Sequence, residues 1–277
     1  MRAVAIEGSR HPRRPYGITM LRYFWRPQQQ AAALPAATLP DVITWTGDYG
    51  SFDAALAACG GDRGYHGDIA TDRYVKNYQA VSANPAKIID NNQHVIRYMA
   101  ALSSARPVDG RIRVLDFGGG YGAIYEIMRW LMPQHDFDWT IVELPELVAR
   151  AAEMGASEQK RFAAEIPRES YSLVIASGVL QYLSDPEAKL AELFSVDSRS
   201  FFVGRVPICP FLERDRLTVQ SVPPSLFAAE FPCWIFSPRW RDMLMRSGER
   251  TMVWESPGDS IVLDGSVFQS DAFLIQR

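Results

Sequence analysis

The chain has few cysteines and histidines and no long apolar run. Its three cysteines, Cys59, Cys209 and Cys233, are far apart and form no CxxC pair, so neither a disulfide framework nor a zinc site is expected. No stretch approaches the roughly 18 consecutive apolar residues that a membrane-spanning helix needs. The N-terminus also lacks the apolar segment of a signal peptide. We therefore expect a cytoplasmic protein with reduced thiols and no bound metal.

Positive and negative charges nearly balance over the whole chain, but positive charge is concentrated at its start. The net charge of -3 and the pI of about 5.9 argue against a nucleic-acid partner. Residues 1–40 nevertheless contain six arginines and one glutamate, which gives +5 there and -8 in the rest. Five prolines also fall in this segment. We interpret 1–40 as a basic, proline-rich arm, which is either a solvated tail or a weak peripheral contact with an anionic membrane.

The domain organisation follows from length and periodicity. In 277 residues, 47% are hydrophobic, which suits one large α/β domain with extensions. We expect residues 41–110 to form a mainly helical N-terminal extension, because apolar residues within 85–104 recur at intervals of three and four. This extension is expected to fold over the ligand side of the domain. From residue 111 to 277, strands alternate with helices, which indicates a mostly parallel sheet with helices on both faces. The fold class is thus α/β, with a Rossmann-like seven-stranded sheet and an N-terminal extension.

Individual elements of the 111–277 domain can also be predicted. Strands are expected at 111–117, 137–144, 161–165, 172–176 and 200–206, and an antiparallel pair at 251–254 and 272–275. Helices are expected at 123–132, 145–155, 184–194 and 237–248, the third of them starting at the capping-box spacing of Ser184-Asp-Pro-Glu187. Residues 207–236 are rich in proline and aromatics without a clear period. We interpret them as an insertion that covers the substrate; alternatively, their aromatic side chains bury a C-terminal core.

One glycine-rich motif carries the functional signal. Residues 114–122 (V-L-D-F-G-G-G-Y-G) contain D-x-G-x-G-x-G at a predicted strand-to-helix junction. Glycine lets the chain turn sharply and lets a ligand approach the backbone, and the helix that follows presents free N–H groups. Glu143 lies 21 positions after Gly122, at the end of the second strand. That spacing brings a carboxylate to a ribose diol.

With this motif, residues 111–206 resemble the class I S-adenosylmethionine-dependent methyltransferases. The resemblance implies S-adenosyl-L-methionine as cofactor and methyl transfer as the reaction. It implies glycines under the methionine part of the cofactor, an acid on the ribose, contacts to adenine and a residue that closes the methionine end. The implied cofactor-binding residues are Asp116, Gly118, Gly120, Gly122, Glu143, Leu144, Glu165 (at the adenine amine) and Ser177 (at the methionine end).

A second resemblance concerns the acceptor. Trp45-Thr-Gly and Gly64-Tyr65, taken with the glycine motif, are similar to a bacterial group of methyltransferase-like proteins, many of which belong to surface-polysaccharide pathways. This resemblance implies O-methylation of a small or saccharide-linked acceptor. Nitrogen and carbon acceptors stay open.

The catalytic residues are less well indicated, because methyl transfer from a sulfonium depends mainly on alignment of the reactants. A general base is needed only for an unactivated hydroxyl. Among the four histidines, His66 is the preferred candidate for this base. Arg205, at the end of the fifth strand, either anchors an anionic group of the acceptor or forms a structural salt bridge.

Two other functions compete with methyl transfer. Gly118-x-Gly-x-x-Ala123 also fits a loose dinucleotide fingerprint, which would make the protein an NAD-binding oxidoreductase. The acid at Asp116 and the antiparallel C-terminal pair argue against it. A non-catalytic binding or scaffold protein with the same fold is the other alternative.

Overall fold

The computed structural model describes residues 42–60, 68–86, 94–226 and 228–277. These residues belong to one compact unit. The basic arm at 1–40 and the candidate base His66 lie outside the described residues.

The N-terminal part begins with a short strand and continues with helices. Its elements are β1 (Thr44–Thr46), α1 (Phe52–Ala58), α2 (Asp68–Ala83) and α3 (His94–Ser104). Ser51 caps α1, because its hydroxyl accepts a hydrogen bond from the Ala54 N–H at 3.2 Å. Helix α3 buries Val95 and Leu102 of the predicted apolar face, whereas Ile96, which the same periodicity placed on that face, is 73% exposed.

Strands and helices then alternate. The elements are β2 (Ile112–Phe117), α4 (Ala123–Leu131), β3 (Phe137–Val142), α5 (Pro145–Ala149), β4 (Lys160–Ala163), β5 (Leu173–Ser177), α6 (Pro186–Ser195) and β6 (Ser200–Val206). Short 3-10 helices lie at Ala151–Met154 and Leu180–Tyr182. The single helix predicted for 145–155 is therefore split into α5 and a 3-10 turn. The cap of α6 is Asp185, not Ser184, since the Asp185 carboxylate accepts from the Ala188 N–H at 2.9 Å.

The C-terminal part contains longer strands than predicted. It consists of β7 (Arg216–Val222), β8 (Ala229–Ile235), α7 (Arg239–Arg246), β9 (Arg250–Leu263) and β10 (Ser266–Gln276). Asp264 and Gly265 join β9 to β10 with φ of 50° and 77°. Two successive residues with positive φ form the tight turn that matches the twist of an antiparallel hairpin. The antiparallel pair predicted at 251–254 and 272–275 therefore extends beyond those residues at both ends of each strand.

Seven of the strands in the described ranges form one sheet in the order β4-β3-β2-β5-β6-β10-β9. Strands β2 to β6 are parallel, and β10 runs antiparallel to both β6 and β9. Side chains alternate between two cores: Val114 packs with α3 and α4 on one face, while Leu115 packs with α6 and α7 on the other. The predicted fold class is confirmed.

Residues 207–236 are not irregular as the sequence suggested. They contain the hairpin β7–β8, and β7 also pairs with β1, so that a three-stranded antiparallel sheet forms in the order β1-β7-β8. β1, which belongs to the predicted helical extension, thus pairs with β7 of the predicted insertion. The domain boundaries themselves stay a prediction.

Candidate functional site

The glycine loop, residues 118–122, connects the carboxyl end of β2 to α4. Gly118 and Gly122 have φ of +73° and +81°. A Cβ atom on Gly118 would lie 2.6 Å from Val179 Cγ2, and one on Gly122 would lie 2.7 Å from Ile141 Cδ1. Both positions therefore exclude a side chain through backbone conformation and through packing. The loop lies at the edge of the sheet where open α/β folds bind ligands.

At position 119 a side chain is excluded by packing alone, which the sequence motif did not indicate. The φ of Gly119 is not in the left-handed region, but a Cβ there would lie 2.5 Å from Asp116 Oδ2. The carboxylate of Asp116 thus lies directly against the loop. The only signal in the sequence was the run of three consecutive glycines.

Glu143 ties the loop to the neighbouring strand. It follows β3, and its Oε1 accepts a hydrogen bond from the Gly120 N–H at 2.9 Å, while its Oε2 accepts from the Leu144 N–H at 3.0 Å. A carboxylate has about four acceptor sites, so two of them are left for hydroxyl donors of a ligand. Burial raises the pKa of Glu143, and the two backbone hydrogen bonds lower it less.

Asp116 is buried under the loop, with 4% of its surface exposed. The indole Nε1 of Trp139 donates to Asp116 Oδ2 at 3.1 Å. Burial raises the pKa of Asp116 to about 7, because the hydrogen bond from Trp139 offsets desolvation only in part and the charge of Glu143 adds to the increase. This carboxyl group therefore titrates near neutral pH, and a cation placed beside it would favour its ionised form.

A cavity of about 210 Å³ lies over the loop. The predicted residues Asp116, Gly118, Gly120, Ser177 and Arg205 line one part of it. The rest comes largely from α2 and α3, through Tyr74, Asn77, Tyr78, Val81, His94 and Tyr98. The ring of Tyr74 lies on the loop, since a Cβ on Gly120 would be 3.0 Å from its Cδ1. The N-terminal helices thus cover the loop, as the sequence suggested.

The other predicted cofactor residues, Gly122, Glu143, Leu144 and Glu165, do not line the cavity. Gly122 is buried at the end of the loop, against Ile141. Leu144 packs against an apolar cluster that contains Tyr121, Leu147 and Met154. Glu165 is exposed in the loop after β4 and does not line the cavity. Its predicted contact with adenine stays a prediction.

His66 is the histidine that the sequence favours as a base, ahead of His94, yet among the described histidines it is His94 that lines the cavity. Its Nδ1 lies 3.0 Å from Arg97 Nη1, one turn further along α3. The preferred histidine, His66, is not described. The sequence disfavoured His94 because this residue is predicted to lie on a helix, where histidines usually pack in the core or face solvent.

Arg205 stands at the carboxyl end of β6 in an unusual backbone conformation. Its φ of 54° is in the left-handed region, which costs a non-glycine residue about 1–3 kcal/mol. A Cβ on Gly178 would lie 3.3 Å from Arg205 Nη1, so the guanidinium reaches across the end of β5. Its positive charge lowers the pKa of Tyr74, although burial of that phenol raises the pKa more. The Arg205 guanidinium can therefore interact electrostatically with groups in the cavity.

A buried ionic cluster lies against the end of the loop, where a Cβ on Gly122 would be 3.1 Å from Lys160 Cδ. Lys160 is fully buried, and its Nζ donates to Glu126 Oε1 at 3.0 Å, to the Tyr78 hydroxyl at 2.8 Å and to the Met154 carbonyl at 2.9 Å. All three ammonium protons therefore have acceptors. The cluster links α2, α4 and β4. We call these residues the Lys160 cluster.

The aromatic residues of 207–236 are mostly part of the core. Phe231 and Phe236 are 3% and 0% exposed, and the indole N–H of the half-buried Trp234 donates to the Leu183 carbonyl at 3.0 Å. Phe211 is exposed, and Phe227 is not described. No described residue of this segment lines the cavity. Burial of a core is thus the better of the two interpretations of these aromatics.

The described residues show neither a metal site nor a membrane-spanning helix. They contain no group of histidine, cysteine and acidic side chains that could hold a metal ion. None of the helices seen in them has both the length and the apolar character that crossing a bilayer requires. Cys59, Cys209 and Cys233 are buried free thiols.

Comparisons with known proteins give only distant similarities. No family model matches the chain, and no curated protein sequence matches it. Among solved structures, it is similar to the Burkholderia thailandensis 1,6-didemethyltoxoflavin N1-methyltransferase with S-adenosylhomocysteine (14% identity, 76% of this chain and 87% of that one, TM-score 0.43). It is also similar to CalS10, an amino pentose methyltransferase of Micromonospora echinaspora (13%, 73% and 97%, TM-score 0.41).

A third similar structure is the complex of the Haloferax volcanii Trm112 activator with a methyltransferase (20% identity, 46% of this chain, TM-score 0.33). Here the matched part corresponds to only 58% of the length of the other chain. At these identities and TM-scores the likeness carries no functional weight. The function therefore has to be inferred from the site of this chain.

Proposed function

We propose that the protein is an S-adenosylmethionine-dependent methyltransferase. The observation that supports this best is the hydrogen bond from the Gly120 N–H to Glu143 Oε1. It joins a glycine loop after the first core strand, which lines the cavity, to a carboxylate at the end of the neighbouring strand; Glu143 itself does not line the cavity. Such a pair suits a nucleoside, because the glycines admit the ligand to the backbone and the carboxylate can bind its ribose hydroxyls.

The residues present fit S-adenosylmethionine. Glu143 would hold the ribose with its remaining acceptor sites, and the glycine loop would pass under the ligand. Asp116 and Ser177 would face the methionine end, where an ionised Asp116 stabilises a positive charge. When bound, the cofactor supplies a methyl group activated by its sulfonium. The chain itself has to align the acceptor and exclude water, and the cover formed by α2 and α3 suits both tasks.

The NAD alternative is disfavoured by the sheet. A dinucleotide fold with the order 3-2-1-4-5-6 continues with a parallel strand after the fifth one. Here β10 runs antiparallel next to β6, and β9 pairs with its outer edge. The non-catalytic alternative is not addressed by topology and needs a binding and activity measurement.

We propose in addition that the acceptor is a small molecule that reaches the end of the cavity formed by Ser177 and Arg205. Arg205 would bind an anionic group of it, and His94 replaces the undescribed His66 as the histidine to test for a base. Oxygen as the methylated atom, a saccharide-linked acceptor and a membrane contact through the arm at 1–40 rest on the sequence alone.

The ribose site can be tested by substitution of Glu143. In Glu143→Ala, the affinity for S-adenosylhomocysteine should fall about 10- to 150-fold, because a hydrogen bond to a charged group contributes about 1.5–3 kcal/mol. Glu143→Gln keeps one acceptor oxygen and should lose less. Glu158→Ala, at an exposed acid before β4, serves as the matched control and should leave the affinity unchanged.

Isothermal titration calorimetry measures these affinities, and a methyl-transfer assay with candidate acceptors tests turnover. Binding of S-adenosylmethionine without turnover of any acceptor would favour the non-catalytic alternative. Binding of NAD but not of S-adenosylmethionine, or equal affinities of wild type and Glu143→Ala, would overturn the proposal.

A further inference from the structure

Tyr121, within the glycine loop, carries a buried hydroxyl group whose role is not explained by the fold. Its side chain is 2% exposed, and its hydroxyl has no hydrogen-bond partner among the described residues. An unsatisfied buried polar group costs a protein about 1–3 kcal/mol. Tyr121 also lines the cavity. A hydroxyl of this kind, next to a cavity, suggests a partner that arrives with a ligand.

The ring of Tyr121 lies in an apolar cluster at the border of the cavity: Tyr74 and Tyr78, which pack against this cluster, line the cavity, whereas Leu144 and Phe162 do not. Tyr121 packs in this cluster with Leu147 and Met154, and Leu144 packs against the same cluster. The rings of Tyr121 and Phe162 have centroids 6.5 Å apart. These residues belong to β4 and to the segment that follows β3. The ring therefore extends from the loop toward the side of Glu143 that leads into α5.

Two charged groups near the Tyr121 hydroxyl also lie on the side of Glu143 that leads into α5. Burial raises the pKa of Tyr121, the nearby Arg150 lowers it, and the charges of Glu143 and Glu153 raise it further. Arg150 and Glu153 follow α5. At neutral pH the phenol therefore keeps its proton and can act as a hydrogen-bond donor.

We infer that Tyr121 recognises the adenine base of the cofactor by donating a hydrogen bond to a ring nitrogen. This inference rests on the proposed function. If Glu143 holds the ribose, the base attached to that ribose lies beyond it, on the side where Tyr121, Leu144 and Phe162 meet. Apolar walls suit the faces of a flat base, and a single polar group among them gives specificity for its edge.

The first test removes only the hydroxyl. In the full-length Tyr121→Phe protein, S-adenosylhomocysteine should bind about 5- to 30-fold more weakly than in the wild type, as measured by calorimetry. The melting temperature without ligand should be unchanged or higher, because an unsatisfied polar group has been removed. Tyr171→Phe is the matched control: Tyr171 is 3% exposed and does not line the cavity, so its loss should not affect binding.

The second test identifies the atom that is recognised. S-Adenosylhomocysteine analogues in which N1, N3 or N7 of adenine is replaced by C–H are titrated into wild type and Tyr121→Phe. For one analogue, the two proteins should bind with equal affinity, because the acceptor is already missing. A binding difference that persists with all three analogues would show that the hydroxyl acts through the loop, and the inference would be wrong.

Failure of this inference can be told apart from failure of the proposed function. Equal affinity of wild type and Tyr121→Phe for S-adenosylhomocysteine overturns the role of Tyr121 and leaves the cofactor assignment intact. Absence of binding to the wild type overturns both.

Discussion

Two sets of buried polar side chains flank the glycine loop, and they differ in how completely their hydrogen bonds are made. In the Lys160 cluster, below the loop, the ammonium group has three acceptors within 3.0 Å. Beside the cavity, Asp116 accepts one hydrogen bond from Trp139, and the Tyr121 hydroxyl has no partner among the described residues. The two sets are buried to a similar degree, so burial alone does not separate them.

The difference teaches how a fixed support can be distinguished from a ligand site. A buried charge with all its partners in place holds elements of the fold together, and its loss should appear as lost stability. Buried groups that face a cavity with acceptor or donor capacity left over keep that capacity for a ligand. Their loss should appear mainly in binding and in pH dependence.

Among single substitutions measured at one pH, the largest effect on stability is expected below the loop. Lys160→Met leaves Glu126, whose side chain is 10% exposed, without its main buried partner, although Arg129 stays 3.1 Å away. Removing one member of a buried pair costs about 3–5 kcal/mol, and Arg129 should keep the loss of unfolding free energy near 3 kcal/mol. Urea denaturation measures this loss.

Lys189→Met provides the control for that prediction. Lys189 pairs with Glu192 on α6, where the two side chains are 31% and 50% exposed. An exposed pair contributes about 0–1 kcal/mol, so the change should be small. Equal losses in the two variants would contradict the supporting role of the Lys160 cluster.

The next effect concerns the pH dependence of stability through Asp116. Its pKa is about 7 in the folded protein and 3.8 when unperturbed, so the native state favours the protonated form. The stabilisation is fully present below pH 3.8 and is lost as the pH rises through about 7. Over this range the unfolding free energy should fall by about 2–4 kcal/mol on account of this group.

In Asp116→Asn this contribution should disappear. The slope that remains includes Asp271, whose pKa burial raises to about 6 and which is present in both proteins. Denaturant titrations at several pH values between 4 and 8 give the comparison. Parallel slopes in wild type and Asp116→Asn would show that Asp116 does not titrate near neutrality. A matching increase of S-adenosylmethionine affinity with pH is expected only in the wild type.

The smallest effect should come from the loop backbone. In Gly119→Ala the added methyl group would clash with the Asp116 carboxylate at 2.5 Å, and overpacking of this kind costs about 1–3 kcal/mol. Gly50→Ala is the control, because no atom lies within 4 Å of its added Cβ. Melting temperatures and S-adenosylhomocysteine affinities should fall for Gly119→Ala only. Similar values for both variants would mean that the loop moves freely away from Asp116.

Much of the fold could be predicted because its central strands have a simple pattern. β3 is buried along its whole length and is mainly apolar, and β6 was predicted with its observed bounds. The small sheet was missed because β1 has only three residues and can be recognised only through its partner β7. The length of the β9–β10 hairpin was missed although its Asp264-Gly265 turn is a known hairpin signal.

The candidate site, like the fold, contains some residues that could be predicted from the sequence and others that could not. Asp116, Ser177 and Arg205 could be located because they stand at the ends of strands or just after them, and parallel strands bring those ends to one edge. The contributions of Tyr74 and His94 could not be predicted, since they depend on how α2 and α3 pack over the loop. Lys160 gave no signal either, because a lysine in a sequence is normally expected to be exposed.

The claim that the loop at 118–122 binds a nucleoside cofactor is tested most directly by a crystal structure of the full-length protein with S-adenosylhomocysteine. We expect the ribose hydroxyls within hydrogen-bond distance of Glu143 and the adenine base between Leu144 and Tyr121. A ligand bound elsewhere, with the loop and Glu143 making no contact to it, would contradict the assignment.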